Sequence, residues 1–268
     1  MAVLDPTFER LSRAFLETSR RFASDRIVAG SRPGLRYAAV GSSIPGFNRL
    51  VATTMSEATV DDDLDAALAD LDRFPVLSAW IPAGAVPGDL TDRFGARGFV
   101  LDDEAVPAMT ADLAAIPAIE PAPGVTWSRV VDLAAMAAVI DVMSLGFEMP
   151  DSLRPFFEHL LSGTSLSGDD GLGVFLVALE GRPVSTALGG VVGDAVAIYN
   201  VATVPDARGQ GLGRLATLLA MHHGAAGGAT VAVLESSEMG YTVYARLGFR
   251  DVGRYQVLVR RREGATEG

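Results

Sequence analysis

The sequence contains neither cysteine nor lysine. Without cysteine the chain cannot form disulfides, use a thiolate as a nucleophile or build a cysteine zinc site. Without lysine it has neither the phosphate-binding lysine of a Walker loop nor the amine that forms a Schiff base. All 22 basic side chains are therefore arginines. These absences exclude several common classes of enzyme before any motif is considered.

Long uninterrupted apolar runs are also lacking, so we expect neither a transmembrane helix nor a signal peptide. Acidic residues number 33 against 22 arginines, which gives a formal net charge of −11. This negative charge disfavours binding to nucleic acid or to acidic membranes, because a phosphate-binding surface needs clustered cations. The remaining composition is that of a globular protein. We therefore expect a cytoplasmic protein that binds neither nucleic acid nor a membrane.

A proline-rich segment over residues 116–124 divides the chain. Proline cannot continue a helix or a central strand, so this segment is typical of a linker. The full length of 268 residues is enough for two domains of about 130 residues each. We place a first domain at residues 1–118 and a second at residues 119–268.

Hydrophobic periodicity predicts alternating helices and strands, and hence an α/β fold class. The elements predicted in the first half are a helix over 5–26, a strand over 35–40, a helix over 63–74 and a strand over 76–81. Those predicted in the second half are a strand over 125–130, a helix capped by Asp132 and ended by Gly146, a helix from Asp151, an antiparallel meander over 174–179, 184–192 and 195–204, a helix ending near 226, a strand over 230–234, a short helix over 241–247 and a strand over 252–259.

A weak internal repeat relates the two halves. The segment FGARGFV at 94–100 is similar to YARLGFR at 244–250, and NRLVAT at 48–53 is similar to NVAT at 200–203. The two landmarks are separated by similar lengths of chain in each half. The halves are therefore predicted to share an ancestral fold.

A glycine-rich loop, RGQGLG at 208–213, follows a predicted strand and opens a helix with an apolar face. Free amides at a helix N-terminus bind anions, and glycine lets the backbone approach closely, so the loop predicts a pyrophosphate site. A turn without a ligand is one alternative. Another is a dinucleotide fingerprint over 211–216 with Glu235 beyond it. The polar insert at 205–207 and the shortness of the remaining chain disfavour a doubly wound sheet.

With the strand over 195–204, this loop and the run LESSEMGYTVYARLGF at 234–249, residues 125–260 resemble the GCN5-related N-acetyltransferase (GNAT) family. The resemblance implies mixed, mostly antiparallel sheets flanked by helices, with two central strands that part to admit the pantetheine arm of acyl-CoA. It implies that backbone groups of three strand residues pair with pantetheine: Ala202, Thr203 and Val204. It also implies that the loop binds the pyrophosphate through Arg208, Gly209, Gln210, Gly211, Leu212 and Gly213.

Two departures from the family pattern bear on function. Many members have Asn at the end of the fifth strand of the fold, and here Ser236 and Ser237 would have to replace that contact. The first half has no glycine loop, and its corresponding position carries Asp61, Asp62 and Asp63, which would repel a pyrophosphate. We expect the first half to be a degenerate GNAT-like partner, structural or substrate-shaping.

The chemistry implied is transfer of an acetyl or short acyl group from coenzyme A to an amine. Tyr244 matches the family's tyrosine and would protonate the leaving thiolate, since a phenol pKa of about 10 lies close to a thiol pKa of about 8.5. An aromatic core residue is the other interpretation of Tyr244. The base is either Glu148, which could equally be solvated, or a water held by Tyr199 and Asn200.

The co-substrate is expected to be acetyl-CoA, and the acceptor a small-molecule or peptide amine. No metal is expected, because His222 and His223 have no further ligand at metal spacing. Aromatic residues at 127, 147 and 157 belong either to an acceptor pocket or to the core. A non-catalytic acyl-CoA-binding or interaction protein is the competing class. The oligomeric state is open, with a homodimer as one option.

Overall fold

The computed structural model describes residues 4–22, 27–103, 105–162 and 171–262. These residues fold into seven α-helices and twelve strands that form two compact units. The first unit comprises the described residues of Met1–Arg20, Ser24–Ala108 and Asp251–Gly268. The second comprises those of Arg21–Ala23 and Met109–Arg250.

The elements of the first part of the chain are α1 (Pro6–Arg21), β1 (Val28–Arg32), β2 (Leu35–Ala39), β3 (Asn48–Ala52), α2 (Val60–Asp70), β4 (Val76–Pro82), α3 (Leu90–Gly95) and β5 (Val100–Leu101). Those of the remainder are β6 (Val106–Asp112), β7 (Val125–Arg129), α4 (Leu133–Gly146), α5 (Arg154–Ser162), β8 (Leu172–Leu179), β9 (Arg182–Val192), β10 (Ala195–Thr203), α6 (Leu212–Ala226), β11 (Val231–Glu235), α7 (Glu238–Arg246) and β12 (Arg250–Arg261).

Each unit builds its sheet around one parallel pair of strands. In the first unit the order is β1-β2-β3-β4-β12, with β3 and β4 parallel and the other neighbours antiparallel. In the second unit the order is β6-β11-β10-β9-β8-β7, with β10 and β11 parallel and β10, β9, β8 and β7 antiparallel. Parallel neighbours need a crossover, which α2 supplies in the first unit and α6 in the second.

β6 follows Gly98-Phe99 of the first unit and β12 follows Gly248-Phe249 of the second, and each strand joins the sheet of the other unit. β6 lies beside β11, where the Thr110 hydroxyl donates to the Ala232 carbonyl over 3.1 Å. β12 pairs along β4. The division therefore differs from the predicted boundary at 118/119, because the chain passes between units at 108/109 and returns at 250/251.

Glycines allow α6 to lie close against the sheet of the second unit. A Cβ at Gly224 would lie 2.3 Å from Val196 Cγ1, and one at Gly189 would lie 3.3 Å from the Ala220 carbonyl oxygen. The apolar face of α6 is buried, including Leu215, Leu218 and Leu219. This packing fixes the N-terminus of α6 beside the end of β10.

Local interactions at the helix N-termini explain the main shifts in helix boundaries. α2 begins at Val60 rather than at residue 63, so the three aspartates lie in its first turn, where the helix dipole favours negative charge. α7 begins at Glu238 rather than at residue 241, because Ser237 Oγ accepts the Gly240 N–H over 3.2 Å. The predicted cap Asp132 is confirmed by its bond from the Ala135 N–H at 2.8 Å. Residues 23–26 of the first predicted helix lie outside the described residues.

Candidate active site

The two parallel strands of the second unit part along their length. Their pairing runs from Ala195 with Val231 to Ala197 with Val233, and both strands then continue, to Thr203 and to Glu235. β10 meanwhile stays paired with β9 as far as Thr203. A cleft therefore opens between the ends of β10 and β11, with a strand edge along one wall.

A β-bulge turns the end of β10. The register with β9 shifts between Tyr199 and Ala202, and Asn200 has a φ of 53°, which is rare for a residue other than glycine. A bulge of this kind inserts an extra residue and re-aims the groups that follow it. It lies where the two strands part.

The bulge decides which backbone groups face the cleft. The Val204 N–H donates to the Val184 carbonyl over 2.9 Å, so Val204 is directed toward β9. Alternate residues of a strand direct their N–H and C=O groups to opposite neighbours. Ala202 therefore also faces β9, and the groups directed into the cleft are those of Val201 and Thr203. Of the three predicted pantetheine contacts, Thr203 directs its backbone groups into the cleft and Ala202 and Val204 do not. Val201, which the sequence did not indicate, also directs its groups there.

The glycine loop lies at the mouth of the cleft and ends in the first turn of α6. Gly209 and Gly211 both have a φ of 78°, a left-handed conformation that glycine adopts without strain. Gly211 is the N-cap of α6, and no described side chain caps that end. The first turn of α6 also carries no acidic residue. Its amides and the positive end of the helix dipole are therefore available to an anion, and binding of a pyrophosphate there stays a prediction.

The Arg208 side chain turns away from these amides. Its Nε donates to the Thr203 carbonyl over 3.2 Å and its Nη2 to the Gly146 carbonyl over 2.7 Å. Its Nη1 lies 3.7 Å from Glu148 Oε1. Its backbone N–H donates to the Pro205 carbonyl over 3.3 Å, so neither the side chain nor the amide of Arg208 is directed at the predicted pyrophosphate site.

Tyr244 lies in α7 and is buried, with 8% of its surface exposed. Its ring meets Phe249 edge to face at 5.9 Å and covers Gly240, where a Cβ would lie 2.7 Å from the ring. Burial raises the pKa of Tyr244 to about 12, without a hydrogen bond or charge from the described residues. The phenol is consequently neutral over the physiological range.

The serines at the end of β11 have local roles. Ser236 is buried and donates to the Ser237 carbonyl over 2.7 Å. Ser237 is exposed and caps α7 through its Oγ. Since the Ser237 hydroxyl only accepts in this cap, its proton is left to donate, whereas the Ser236 proton is already used. Of the two predicted cofactor contacts, Ser237 is the better placed.

The candidate base Glu148 lies in the turn after α4, with a φ of 52° and 74% of its side chain exposed. Phe147 beside it is 48% exposed, whereas Phe157 is buried in the core at 2%. The other candidates, Tyr199 and Asn200, lie on the bulge of β10. The candidate bases predicted from the sequence therefore lie in two places, one in the turn after α4 and two on β10. Which of them acts as the base stays a prediction.

The first unit has the corresponding parallel pair, but its cleft is filled. The chain beyond β3 pairs with Val86, whose N–H donates to the Thr53 carbonyl over 2.9 Å and whose carbonyl accepts the Met55 N–H over 2.7 Å. Protein backbone thus occupies the strand edge that is open in the second unit. Asp61, in the first turn of α2, is paired with Arg93 and Arg97.

The two units also carry different aromatic residues near the end of the helix before the Gly-Phe pair, which is α3 in the first unit and α7 in the second. The Phe99 N–H donates to the Phe94 carbonyl over 3.2 Å, and the Phe249 N–H donates to the Tyr244 carbonyl over 3.1 Å. Each of these pairs also makes an edge-to-face ring contact. Phe94 therefore stands where the second unit has Tyr244, and it lacks the hydroxyl.

Comparison with known proteins agrees with this geometry. Residues 119–241 match the sequence profile described as the acetyltransferase (GNAT) domain. Residues 119–241 are a GNAT domain. The resemblance drawn from the sequence is thereby confirmed. None of the curated proteins compared with the chain matches it.

Solved structures confirm the mixed α/β fold with sheets flanked by helices. A GCN5-related N-acetyltransferase from Kribbella flavida is 26% identical, with a TM-score of 0.69 and 94% of each chain covered. One from Sphaerobacter thermophilus is 17% identical, with a TM-score of 0.59, covering 98% of this chain and 93% of that one. A tandem GNAT protein from the clavulanic acid biosynthesis pathway is 15% identical, with a TM-score of 0.59, covering 98% of this chain and 96% of that one.

Two further findings concern metals and membranes. Within the described part of the chain, no three His, Asp or Glu side chains are grouped so that they could hold a metal ion. No helix in that same part is long and apolar enough to cross a membrane.

Proposed function

We propose that the GNAT domain transfers an acetyl or other short acyl group from coenzyme A to an amine. The observation that carries this proposal is the parting of β10 from β11 beyond Ala197 and Val233, beside the uncapped helix of the glycine loop. A strand edge suits the amides of pantetheine, and a helix N-terminus suits a pyrophosphate. A cleft with both features side by side fits an acyl-CoA.

The reaction forms a C–N bond to the thioester carbon and breaks its C–S bond, which leaves a thiolate. Burial raises the pKa of Tyr244 to about 12, so the phenol keeps its proton and can donate a hydrogen bond. We therefore assign Tyr244 the role of a hydrogen-bond donor rather than that of the proton donor. Its hydroxyl would donate a hydrogen bond to the developing thiolate, and solvent would supply the proton.

The amine must lose a proton before or during attack. Glu148 would accept it directly, or a water held near Tyr199 and Asn200 would relay it. Glu148 is exposed and lies beside the cation Arg208. A small-molecule or peptide amine is the proposed acceptor, and acetyl-CoA the proposed acyl donor.

The first unit is proposed to bind no acyl-CoA. Val86 already occupies its strand edge, and the first turn of α2 carries three aspartates where a pyrophosphate would lie. Its proposed contribution is structural or substrate-shaping.

Calorimetric titration with acetyl-CoA tests the proposal, using Gly211→Glu and a matched control. Gly211 and Gly228 lie just outside opposite ends of α6, at φ values of 78° and 86°, and a Cβ at either would meet no atom within 4 Å. Both variants therefore carry the same backbone strain and the same added charge. We expect micromolar binding in the wild type and in Gly228→Glu, and at least a hundredfold weaker binding in Gly211→Glu.

Binding that survives in Gly211→Glu would contradict the assignment of the loop. Thiol release from acetyl-CoA in the presence of a panel of primary amines then tests catalysis. Because the chain has no lysine, any label transferred to the protein itself would not be on a lysine side chain. Binding without thiol release on any amine would favour the non-catalytic acyl-CoA-binding alternative.

A further inference from the structure

The C-terminus of α4 approaches the end of β10 unusually closely. A Cβ at Gly146 would lie 3.0 Å from Ala202 Cβ and 3.1 Å from the Thr203 amide nitrogen. Such distances are shorter than ordinary van der Waals contact, so only glycine allows this approach without displacement. The last turn of the helix is therefore held against the wall of the cleft.

Arg208 supplies the charge that this helix end lacks. The last turn of α4 carries no basic residue. The partial negative charge of helix carbonyls is best satisfied there by a cation. The guanidinium of Arg208 reaches Gly146 O at 2.7 Å and, through a second nitrogen, Thr203 O at 3.2 Å. One planar side chain thus bridges the helix end and the strand end, which the single ammonium of a lysine could not do in the same geometry.

The turn after α4 begins directly after Gly146, and its backbone is hydrogen-bonded to the last residues of α4. The Phe147 N–H donates to Met143 O and the Met149 N–H to Ser144 O, both over 2.9 Å. Glu148 lies between them in a left-handed conformation. The backbone of this turn is therefore tied to Thr203 through the contacts of Gly146 and Arg208.

We propose that Arg208 is a positioning residue for the amine side of the reaction: its guanidinium clamps the turn at residues 147–150 to the end of β10. This inference rests on the proposed function and concerns the side chain alone. Arg208 begins the glycine loop, but its N–H donates to the Pro205 carbonyl, so its guanidinium acts on the acceptor side while the glycines that follow lie on the acyl-CoA side.

Hydrogen exchange of the turn and acetyl-CoA affinity together test the clamp. Arg208→Met removes both donors and keeps an apolar stem. We expect exchange at the Phe147 and Met149 amides to accelerate at least tenfold, while the dissociation constant for acetyl-CoA stays within threefold. Arg208→Lys, which keeps one donor group, should give an intermediate rate. Arg182→Met is the control, since it removes an exposed arginine paired with Asp206 at 2.7 Å, and should change neither quantity.

Glu148→Gln separates the clamp from the neighbouring ion pair. An exposed pair at 3.7 Å contributes little, so exchange in this variant should stay within threefold of the wild type. With the amine that gives the fastest thiol release, Arg208→Met should raise the KM for the amine at least tenfold and leave the KM for acetyl-CoA within threefold.

Unchanged exchange at residues 147–149 in Arg208→Met would overturn the proposal. An acetyl-CoA affinity weakened more than thirtyfold would also overturn it, and would assign the guanidinium to the pyrophosphate. If the wild type bound no acetyl-CoA, the proposed function would fail, whereas the exchange measurement would still report on the clamp.

Discussion

The two units place the same elements around a parallel pair of strands, yet the pair is open in one and closed in the other. In the second unit the ends of β10 and β11 part, and glycines lead into an uncapped helix. In the first unit Val86 pairs with the chain beyond β3, and the following helix begins with aspartates. The difference is local, since the sheets and crossover helices are retained.

This comparison shows how few local changes separate an open strand edge from a closed one. In the first unit, backbone from the same chain makes hydrogen bonds along the edge that is open in the second unit. Three carboxylates replace the glycines at the anion-binding end, and a phenylalanine, Phe94, replaces Tyr244. Each change alone disfavours catalysis, and together they account for a first unit with the fold and without the proposed activity.

The largest expected effect concerns the buried phenol that only the second unit has at this position. The folded pKa of Tyr244 is about 12, and a tyrosine in an unfolded chain has a pKa of about 10. Between these values the unfolded chain releases a proton that the folded chain retains, so stability falls as pH rises from 10 to 12. The loss approaches about 2.7 kcal/mol well above pH 12, and about 1.8 kcal/mol of it falls between pH 9 and pH 11.5. Urea unfolding of the wild type and of Tyr244→Phe at these two pH values measures it as the difference between the two proteins.

The absence of lysine and cysteine sharpens that measurement, because tyrosines are then the main side chains that titrate between pH 9 and 12. Tyr244→Phe should lose less stability than the wild type over this interval. An equal loss in the two proteins would mean that the phenol is not buried as described.

A smaller effect is expected on turnover. Tyr244→Phe should lower kcat at least tenfold, about 1.4 kcal/mol, and leave acetyl-CoA affinity nearly unchanged, because the hydroxyl acts on the leaving thiolate. The reciprocal change, Phe94→Tyr, restores the hydroxyl in the first unit, where the cleft is filled, and should not alter kcat. Equal turnover by wild type and Tyr244→Phe in the thiol-release assay would remove Tyr244 from the mechanism.

Local patterns made much of the second unit predictable. Asp132 lies before an apolar periodicity, and its cap was recognised from sequence alone. The conformation of the glycine loop is likewise local, since it depends on Gly209, Gly211 and the start of α6. The internal repeat of residues 94–100 and 244–250 correctly paired Phe94 with Tyr244. It could do so because each of these residues interacts with a phenylalanine only five positions further along the chain.

Features that depend on distant partners could not be predicted in this way. β6 contains Pro107, and it is a buried strand because it lies beside β11. The bulge at Asn200 determines which residues face the cleft, and nothing in the sequence indicated that Val201 would be one of them. The Asn residues of the internal repeat are not equivalent, since Asn48 is buried at the start of β3, where its side-chain oxygen accepts the Val40 N–H over 3.0 Å. The direction of the Arg208 side chain depends on Gly146, which is 62 positions away.

Hydrogen exchange with and without acetyl-CoA tests the contrast between the two clefts most directly. We expect slower exchange at residues 198–213, which cover the end of β10 and the glycine loop. We expect no change at residues 53–63, where the first unit is closed by its own backbone and carboxylates. Protection at residues 53–63, or its absence at 198–213 with saturating acetyl-CoA, would contradict the proposed difference between the two clefts.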